Sequence, residues 1–225
     1  MIPIKDSPRT RRFPLVNISL ILVNVIVFLW MVSLNQSETF NLAITSGLVP
    51  ASFSSALAQK SFLEAFSPLV TYQFLHGGWF HLIGNMLYLW VFGDNIEDRL
   101  GHLFYLLFYL AVGATAGFIQ VLFNPSSTVP IVGASGAVAG VLGAYLLSCP
   151  NARVLTIIPI FFFITLAEIR AVFFLLFWFI LQLFNGIATI GLPSVTVAWW
   201  AHIGGFMAGM LFIKFFGKRY DCVER

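Results

Sequence analysis

The chain has 225 residues, of which 59% are hydrophobic and only 9% charged, and its mean hydropathy is +0.92. A soluble domain carries about 25% charged residues, so a soluble fold is excluded and an integral membrane protein is expected. The net charge of +3 sits in tails and turns, and no feature points to nucleic-acid binding. Cys149 and Cys222 are too few and too badly placed for a disulfide framework, and both fall on the side expected to be cytoplasmic.

Several apolar runs approach the ~20 residues that cross a bilayer core. They are continuous rather than alternating, which selects helices over a barrel. Met1 to Pro14 is a short polar tail with Lys5, Arg9, Arg11 and Arg12, and the first span runs from Leu15 to Leu34. That run has full spanning length with no small-residue cleavage site after it, so a membrane span rather than a cleavable signal peptide is expected. Asn35 to Leu75 is a long loop whose short apolar pieces, such as Phe62 to Phe66, suit brief interfacial helices. The second span starts near Trp79 and ends at Phe92, before Gly93-Asp94-Asn95-Ile96-Glu97-Asp98-Arg99. Leu103 to Phe123 is the third and Ile131 to Leu147 the fourth. Val154 to Leu166 is apolar but short and contains Pro159, which makes it a loop or interfacial segment. Ala171 to about Ile190 is the fifth span and Ala198 to Phe216 the sixth, with a short tail over 217–225. The expected fold is all-α: one domain, 1–225, forming a polytopic bundle of six transmembrane helices.

Six spans place both termini on one side. Eleven of the twelve Lys and Arg residues then share that side (Lys5, Arg9, Arg11, Arg12, Arg99, Arg153, Arg170, Lys214, Lys218, Arg219 and Arg225), and Lys60 alone lies opposite. The positive-inside rule makes the terminal side cytoplasmic, and the expected location is the cell membrane.

The second, fourth and sixth spans all enter from the external side. Their first two turns carry His81 and Asn85, Ser135, and His202. At 1.5 Å per residue, Ser135 and His202 each lie roughly 6 Å below the outer boundary. His81 and Asn85 are four apart and share one helix face. An imidazole or an amide inside a span also serves ordinary interhelical hydrogen bonding, but four polar groups at one depth fit a wet cavity better. Serine and histidine at matching depth suggest nucleophilic catalysis, with His202 taking the proton of Ser135 Oγ and passing it to the leaving amine. The base must start neutral, which burial favours. Asp94, Glu97 and Glu168 lie at the cytoplasmic ends, so a dyad rather than a triad is expected. Asn85, His81 and the Ser135 backbone N–H are the available oxyanion donors. The hydrolase elbow G-x-S-x-G is not matched, because Ala137 follows Gly136. Gly136, Gly140, Gly143 and Ala144 give the serine helix a nearly bare face that admits close helix approach. His76 reads as an interfacial loop residue that could support His81, His102 as a solvated helix start, and Asp94 to Arg99 as a structural charge cluster.

Gly133-Ala134-Ser135-Gly136, the block His76-x4-His81-x3-Asn85 (HGGWFHLIGN) and Ala201-His202-Ile203-Gly204-Gly205-Phe206 together resemble the rhomboid intramembrane serine proteases. The resemblance covers the chain from about Gly47 to Gly209, with the motifs in the family's order. It implies a six-helix bundle with Ser135 as nucleophile, His202 as base, and His81 and Asn85 in the oxyanion site. It also implies a membrane-protein substrate cut within or beside its transmembrane segment, without a metal or cofactor. Glu97-Asp98-Arg99 resembles the family's structural charge pair. Two departures stand out. The first loop lacks the Trp-Arg pair of some bacterial members, and position 139 is Ala where some members pack an aromatic ring on the histidine.

The substrate helix must unwind to expose a carbonyl, so helix-weakening Gly, Ala, Ser or Pro is expected near the cut. The fifth span, dense in Phe and Trp, is expected to pack loosely and move to admit substrate. A catalytically inactive rhomboid-like binder of membrane proteins is the rival reading, and it has no need of both Ser135 and His202. A transporter or haem protein using the two histidines would be expected to show repeat symmetry or broken helices, which the sequence lacks. Neither composition nor motifs signal an oligomeric state.

Overall fold

In hydrocarbon a backbone must satisfy its own N–H and C=O groups, and the apolar runs of this chain do so as helices. The computed structural model describes residues 1–160, 163–191, 197–217 and Cys222. In chain order it contains strand β1 (Ile2–Asp6), then helices α1 (Leu15–Val32), α2 (Gln36–Ser46), α3 (Pro50–Ala58), α4 (Phe62–Phe66) and α5 (Pro68–Thr71), and a 3-10 turn at Tyr72–Phe74. Helices α6 (Trp79–Leu100), α7 (His102–Phe123) and α8 (Ser135–Ser148) follow. Strands β2 (Arg153–Ile160) and β3 (Phe163–Arg170) then precede α9 (Ala171–Ala188) and α10 (Trp199–Phe216). By length and composition α1, α7 and α9 could each cross a membrane, and α8 is a shorter apolar helix. The fold is mostly helical, with several apolar helices of spanning character, as expected for a polytopic bundle.

Hydrogen bonds show how the long helices alternate. The start of α1 meets the end of α6, where the two Glu97 carboxylate oxygens accept the backbone N–H groups of Val16 (2.9 Å) and Asn17 (2.7 Å). Glu97 thus caps the free N–H groups of α1, a structural role for the cluster after the second span. Asn17 in turn donates to the Leu89 carbonyl (3.0 Å) and accepts from the Tyr105 hydroxyl (2.8 Å), tying α1, α6 and α7 together. His102, read as a solvated helix start, is half exposed and pairs with Glu97. Arg99 reaches the Ser148 carbonyl at the end of α8.

The centre of the bundle is α8, nearly all of it buried. Its bare face receives α10. A Cβ on Gly205 would overlap the Gly136 carbonyl, one on Gly209 the Gly140 carbonyl, and one on Gly143 the Phe206 carbonyl. A Cβ on Gly140 would also come within 2.6 Å of Val112 on α7. Glycine-to-glycine contact therefore sets the α8–α10 distance.

The segment expected as a long loop is mostly helical. Asn35 accepts from the Glu38 N–H while Glu38 returns the bond to the Asn35 N–H, a capping box that starts α2. An isolated bridge between Leu48 and Ile131 fastens this segment to the strand-like entry of α8.

Two expectations are corrected. The described residues of Val154 to Leu166 lie in two antiparallel strands, β2 and β3, rather than a loop, and the polar N-terminal tail adds β1, giving an antiparallel sheet in the order β1-β2-β3. The run Val154-Leu155-Thr156-Ile157-Ile158, in which all but Leu155 are β-branched, favours the extended state. β1 pairs only as far as Ile157, so Pro159 sits where nothing on that side needs its missing N–H. Asp6, at the end of β1, accepts from the Tyr145 hydroxyl (2.6 Å) and from Asn95 (2.9 Å). Burial pushes its carboxyl up to about 7, against the lowering pull of the Tyr145 bond. The second correction concerns the cysteines. Cys149 and Cys222, 73 residues apart in sequence, form a disulfide that ties the C-terminal segment to the end of α8. Sequence distance hid a proximity that the parallel α8–α10 pair creates by bringing the two C-terminal ends together. Phe161 and Phe162 of the expected loop segment, and Lys218, Arg219 and Arg225 in the charge tally, lie outside the described residues.

The glycine seam carries a direct test. Gly209→Val forces α10 away from α8 and should cost about 1–3 kcal/mol, the usual penalty for overpacking. Gly84→Ala, where an added Cβ meets nothing within 4 Å, should leave the thermal midpoint in detergent unchanged. Equal midpoints for the two variants would remove the seam from its structural role.

Candidate active site

Three elements converge on Ser135, the first residue of α8. The turn before it depends on Gly133, whose φ of +126° is unfavourable for any residue with a Cβ. A Cβ there would also come within 2.6 Å of the His81 ring, so the glycine both makes the turn and admits the imidazole. The Gly133 N–H donates to the Tyr72 carbonyl (2.9 Å), fixing the turn to the helices that precede α6.

His202 lies in the first turn of α10. The Ala201 N–H beside it donates to Gln120 of α7 (3.1 Å), which anchors the helix start. Its Nε2 stands 2.9 Å from Ser135 Oγ, and its Nδ1 stands 2.9 Å from Gln182 Oε1 on α9. The Gln182 amide donates through Nε2 to the Trp178 carbonyl (3.2 Å), which leaves its oxygen facing the imidazole. An amide oxygen only accepts, so Nδ1 carries the proton and Nε2 presents a lone pair to the serine hydroxyl. This is the arrangement a general base requires. Trp178 and Trp199 flank the ring at 6.0 and 5.9 Å between centroids. These aromatics and Gln182 support the imidazole where Ala139, fully buried one turn below Ser135, offers only a methyl.

On α6, His81 Nδ1 accepts a long bond from the Gly77 N–H (3.5 Å), which favours a proton on Nε2, the atom beside Gly133. His76 packs edge-on to His81 at 5.2 Å. It is buried, and burial together with His81 pushes it down to about 4, so its ring is neutral. Asn85 is buried, and its Nδ2 has no hydrogen-bond partner among the described residues. A buried amide donor without an acceptor costs stability and marks a position suited to an incoming anion. Helix α8 adds its unpaired N-terminal N–H groups and the positive end of its dipole.

The structure therefore brings Ser135 and His202 into hydrogen-bond contact and places His81 against the turn that carries the serine. It leaves the Asn85 donor open one helical turn further along α6. Gln182 was not anticipated from sequence, although one signal existed. In the apolar run Phe177-Trp178-Phe179-Ile180-Leu181-Gln182 it is the amide, and α9 runs opposite to α8 and α10. A residue level with Ser135 must therefore come late in α9, and Gln182 lies about 9 Å from its end at 1.5 Å per residue.

The family model of the rhomboid domain matches residues 63–219. The chain belongs to the rhomboid family. Over 93 residues it is 40% identical to the rhomboid protease GluP of Bacillus subtilis (strain 168), covering 41% of this chain and 17% of that protein. It is 35% identical over 143 residues to RHOMBOID-like protein 1 of Arabidopsis thaliana, covering 64% of this chain and 32% of the relative. It is 28% identical over 152 residues to the mitochondrial presenilin-associated rhomboid-like protein of Mus musculus, covering 66% of this chain and 38% of that protein. The chain thus spans well under half the length of these relatives.

The Ser135–His202 geometry makes a chemical prediction for this rhomboid. A fluorophosphonate should label the wild type, fail on Ser135→Ala, and label Gly133→Ala at least roughly 10-fold more slowly. The last effect follows from the strained turn and the displaced His81, and it can be read by gel fluorescence against thermal midpoint. An unlabelled wild type would mean that the hydroxyl is not activated.

Proposed function

We propose that this rhomboid-family protein is an intramembrane serine endopeptidase that cleaves membrane proteins within or beside a transmembrane segment. The observation that carries the reading is the 2.9 Å contact between Ser135 Oγ and His202 Nε2, with the imidazole proton held on Nδ1 by Gln182. In this reading Ser135 Oγ attacks the scissile carbonyl carbon as its proton passes to His202 Nε2. Negative charge develops on the carbonyl oxygen, which accepts hydrogen bonds from Asn85 Nδ2, His81 Nε2 and the Ser135 backbone N–H. The imidazolium then protonates the leaving amine, the C–N bond breaks, and an acyl ester on Ser135 remains. Water, deprotonated by His202, hydrolyses that ester and restores the serine.

The chain works as one unit of residues 1–225 with six membrane crossings, in the cell membrane with both termini cytoplasmic. The placement of basic residues supports this orientation. In such a compartment the Cys149–Cys222 bridge would be exposed to reduction. Substrate enters laterally past α9, most of whose length is apolar and outward-facing. The partners are transmembrane protein substrates and the lipid bilayer.

Co-expression with a single-span substrate tests the reading. Fragment should appear with the wild type and vanish with Ser135→Ala and with His202→Ala. Asn85→Ala should lower kcat by about 10²–10³, the usual cost of one oxyanion donor. Persistence of the fragment in Ser135→Ala would assign the cleavage to another enzyme and favour a binding role. A cross-link between α6 and α9 should block cleavage while leaving fluorophosphonate labelling intact, and unimpaired cleavage by the cross-linked protein would dismiss α9 as the entrance.

A further inference from the structure

The helix that faces lipid and is proposed to admit substrate also holds the far side of the histidine. Gln182, 7% exposed, is among the few buried residues of α9. Its bond to His202 is the side-chain hydrogen bond that α9 makes to another helix among the described residues. Apolar contacts hold α9 near it: Phe179 stacks on Phe206 at 4.6 Å, Trp178 lies 6.0 Å from the same ring, and Gly186 admits Ile203 at 3.2 Å from where a Cβ would stand. All these partners are on α10, within about one turn of His202. Ala139 supplies no ring to take over if α9 withdraws.

We propose that Gln182 is the positioning residue of the Ser135–His202 pair. Because it sits on α9, the base is assembled only while α9 is docked on α10. The inference rests on the protease reading and adds to it a coupling between substrate entry and catalytic competence.

The physical sensitivity is high. A hydrogen bond of 2.9 Å loses most of its worth beyond about 3.5 Å, so an outward shift of α9 by roughly 1 Å frees the imidazole. Its Nδ1–H then lacks an acceptor in a buried setting, and the ring can rotate or change tautomer, presenting an N–H rather than a lone pair to Ser135. With α9 displaced the site is open but its base is unset. When α9 returns over a bound segment, the amide oxygen meets Nδ1 again and acylation can begin. A neutral acceptor suits this duty, since it holds the ring without fixing a permanent buried charge that α9 would have to strip of its partner on every excursion.

The test uses the full chain in proteoliposomes, a single-span substrate, and a small fluorophosphonate that needs no lateral entry. Gln182→Leu should lower kcat about 10–100-fold, less than the roughly 10²–10⁴-fold that a general base contributes because the base itself remains, with KM changed less than about twofold. Probe labelling of Ser135 should fall by the same factor. Gln182→Glu, which keeps an acceptor at that position, should restore most of both. Ring nitrogen-15 spectra of labelled histidine should show the Nδ1–H form in the wild type and a mixture in Gln182→Leu, a change that a merely structural role would not produce. Phe179→Ala, which loosens α9 without touching the amide, should slow labelling in the wild-type background but add little in Gln182→Leu, as two changes acting through one contact do. If Gln182→Leu fails to fold, the wild-type spectrum still decides whether Nδ1 carries the proton, and slower labelling in Phe179→Ala, with its Nδ1–H form depleted, still decides whether α9 docking sets it; a wild-type spectrum without the Nδ1–H form would overturn the proposal. Wild-type kcat in Gln182→Leu, or strictly additive effects with Phe179→Ala, would overturn the coupling while leaving a Ser135-dependent cleavage in place. A wild type that neither labels nor cleaves would overturn the protease reading and this inference with it.

Discussion

The structure depends on how closely two helix backbones can approach. Where Gly136, Gly140 and Gly143 of α8 face Gly205, Phe206 and Gly209 of α10, several of the added Cβ atoms would overlap a carbonyl across the seam. Between membrane helices no hydrophobic gain rewards burial, because lipid is as apolar as the protein. Close van der Waals contact and interhelical polar bonds do the holding. That seam leads directly to the site. Ser135 immediately precedes the first seam glycine of α8, and His202 lies one turn before the seam on α10, so the depth at which the backbones lock is also the depth at which the hydroxyl meets the imidazole.

A second constraint governs the polar residues. Several of the buried ones stitch helices together: Asn17 joins α1, α6 and α7; Gln120 anchors the start of α10; and the Tyr72 hydroxyl donates to the Gly113 carbonyl (2.7 Å). Around Ser135 the pattern changes. Both His76 ring nitrogens and Asn85 Nδ2 lack partners among the described residues. Buried polar groups are usually satisfied; Asn24 Oδ1, Gln73 Oε1, Tyr109 Oη and Ser148 Oγ also lack partners among the described residues, but three such atoms share the short segment from His76 to Asn85. A proposed oxyanion site on this segment takes over groups that the fold itself leaves unused.

The residues around His202 show a family pattern filled in another way. Ala139 removes an aromatic support from α8, and the structure supplies Trp178 and Gln182 from α9 and Trp199 from α10. Support from α8 would be fixed, because α8 is almost wholly buried. Support from α9 comes instead from a helix whose outer face carries Phe173, Ile180, Phe184 and Ile187 exposed. The same histidine is therefore held between a rigid helix and one much less enclosed.

Much of this was legible in the sequence because it is local. Apolar run length, helix-breaking turns and the split of Lys and Arg yielded the long helices within a few residues at most boundaries, except that α6 runs on from Phe92 to Leu100. Spacing placed His81 beside Asn85, and parity brought Ser135 and His202 to one depth. Tertiary structure decided the rest, since it depends on which faces meet across many residues. It decided that Ser135 Oγ touches His202 Nε2, that Gln182 reaches the other nitrogen from an antiparallel helix, and that Cys149 finds Cys222. It also decided that a short apolar run with a proline becomes a strand, because the N-terminal segment lies alongside to pair with it. Hydropathy and period fix what each segment can be; helix rotation and partner choice, which fix what each side chain touches, are settled only when backbones pack.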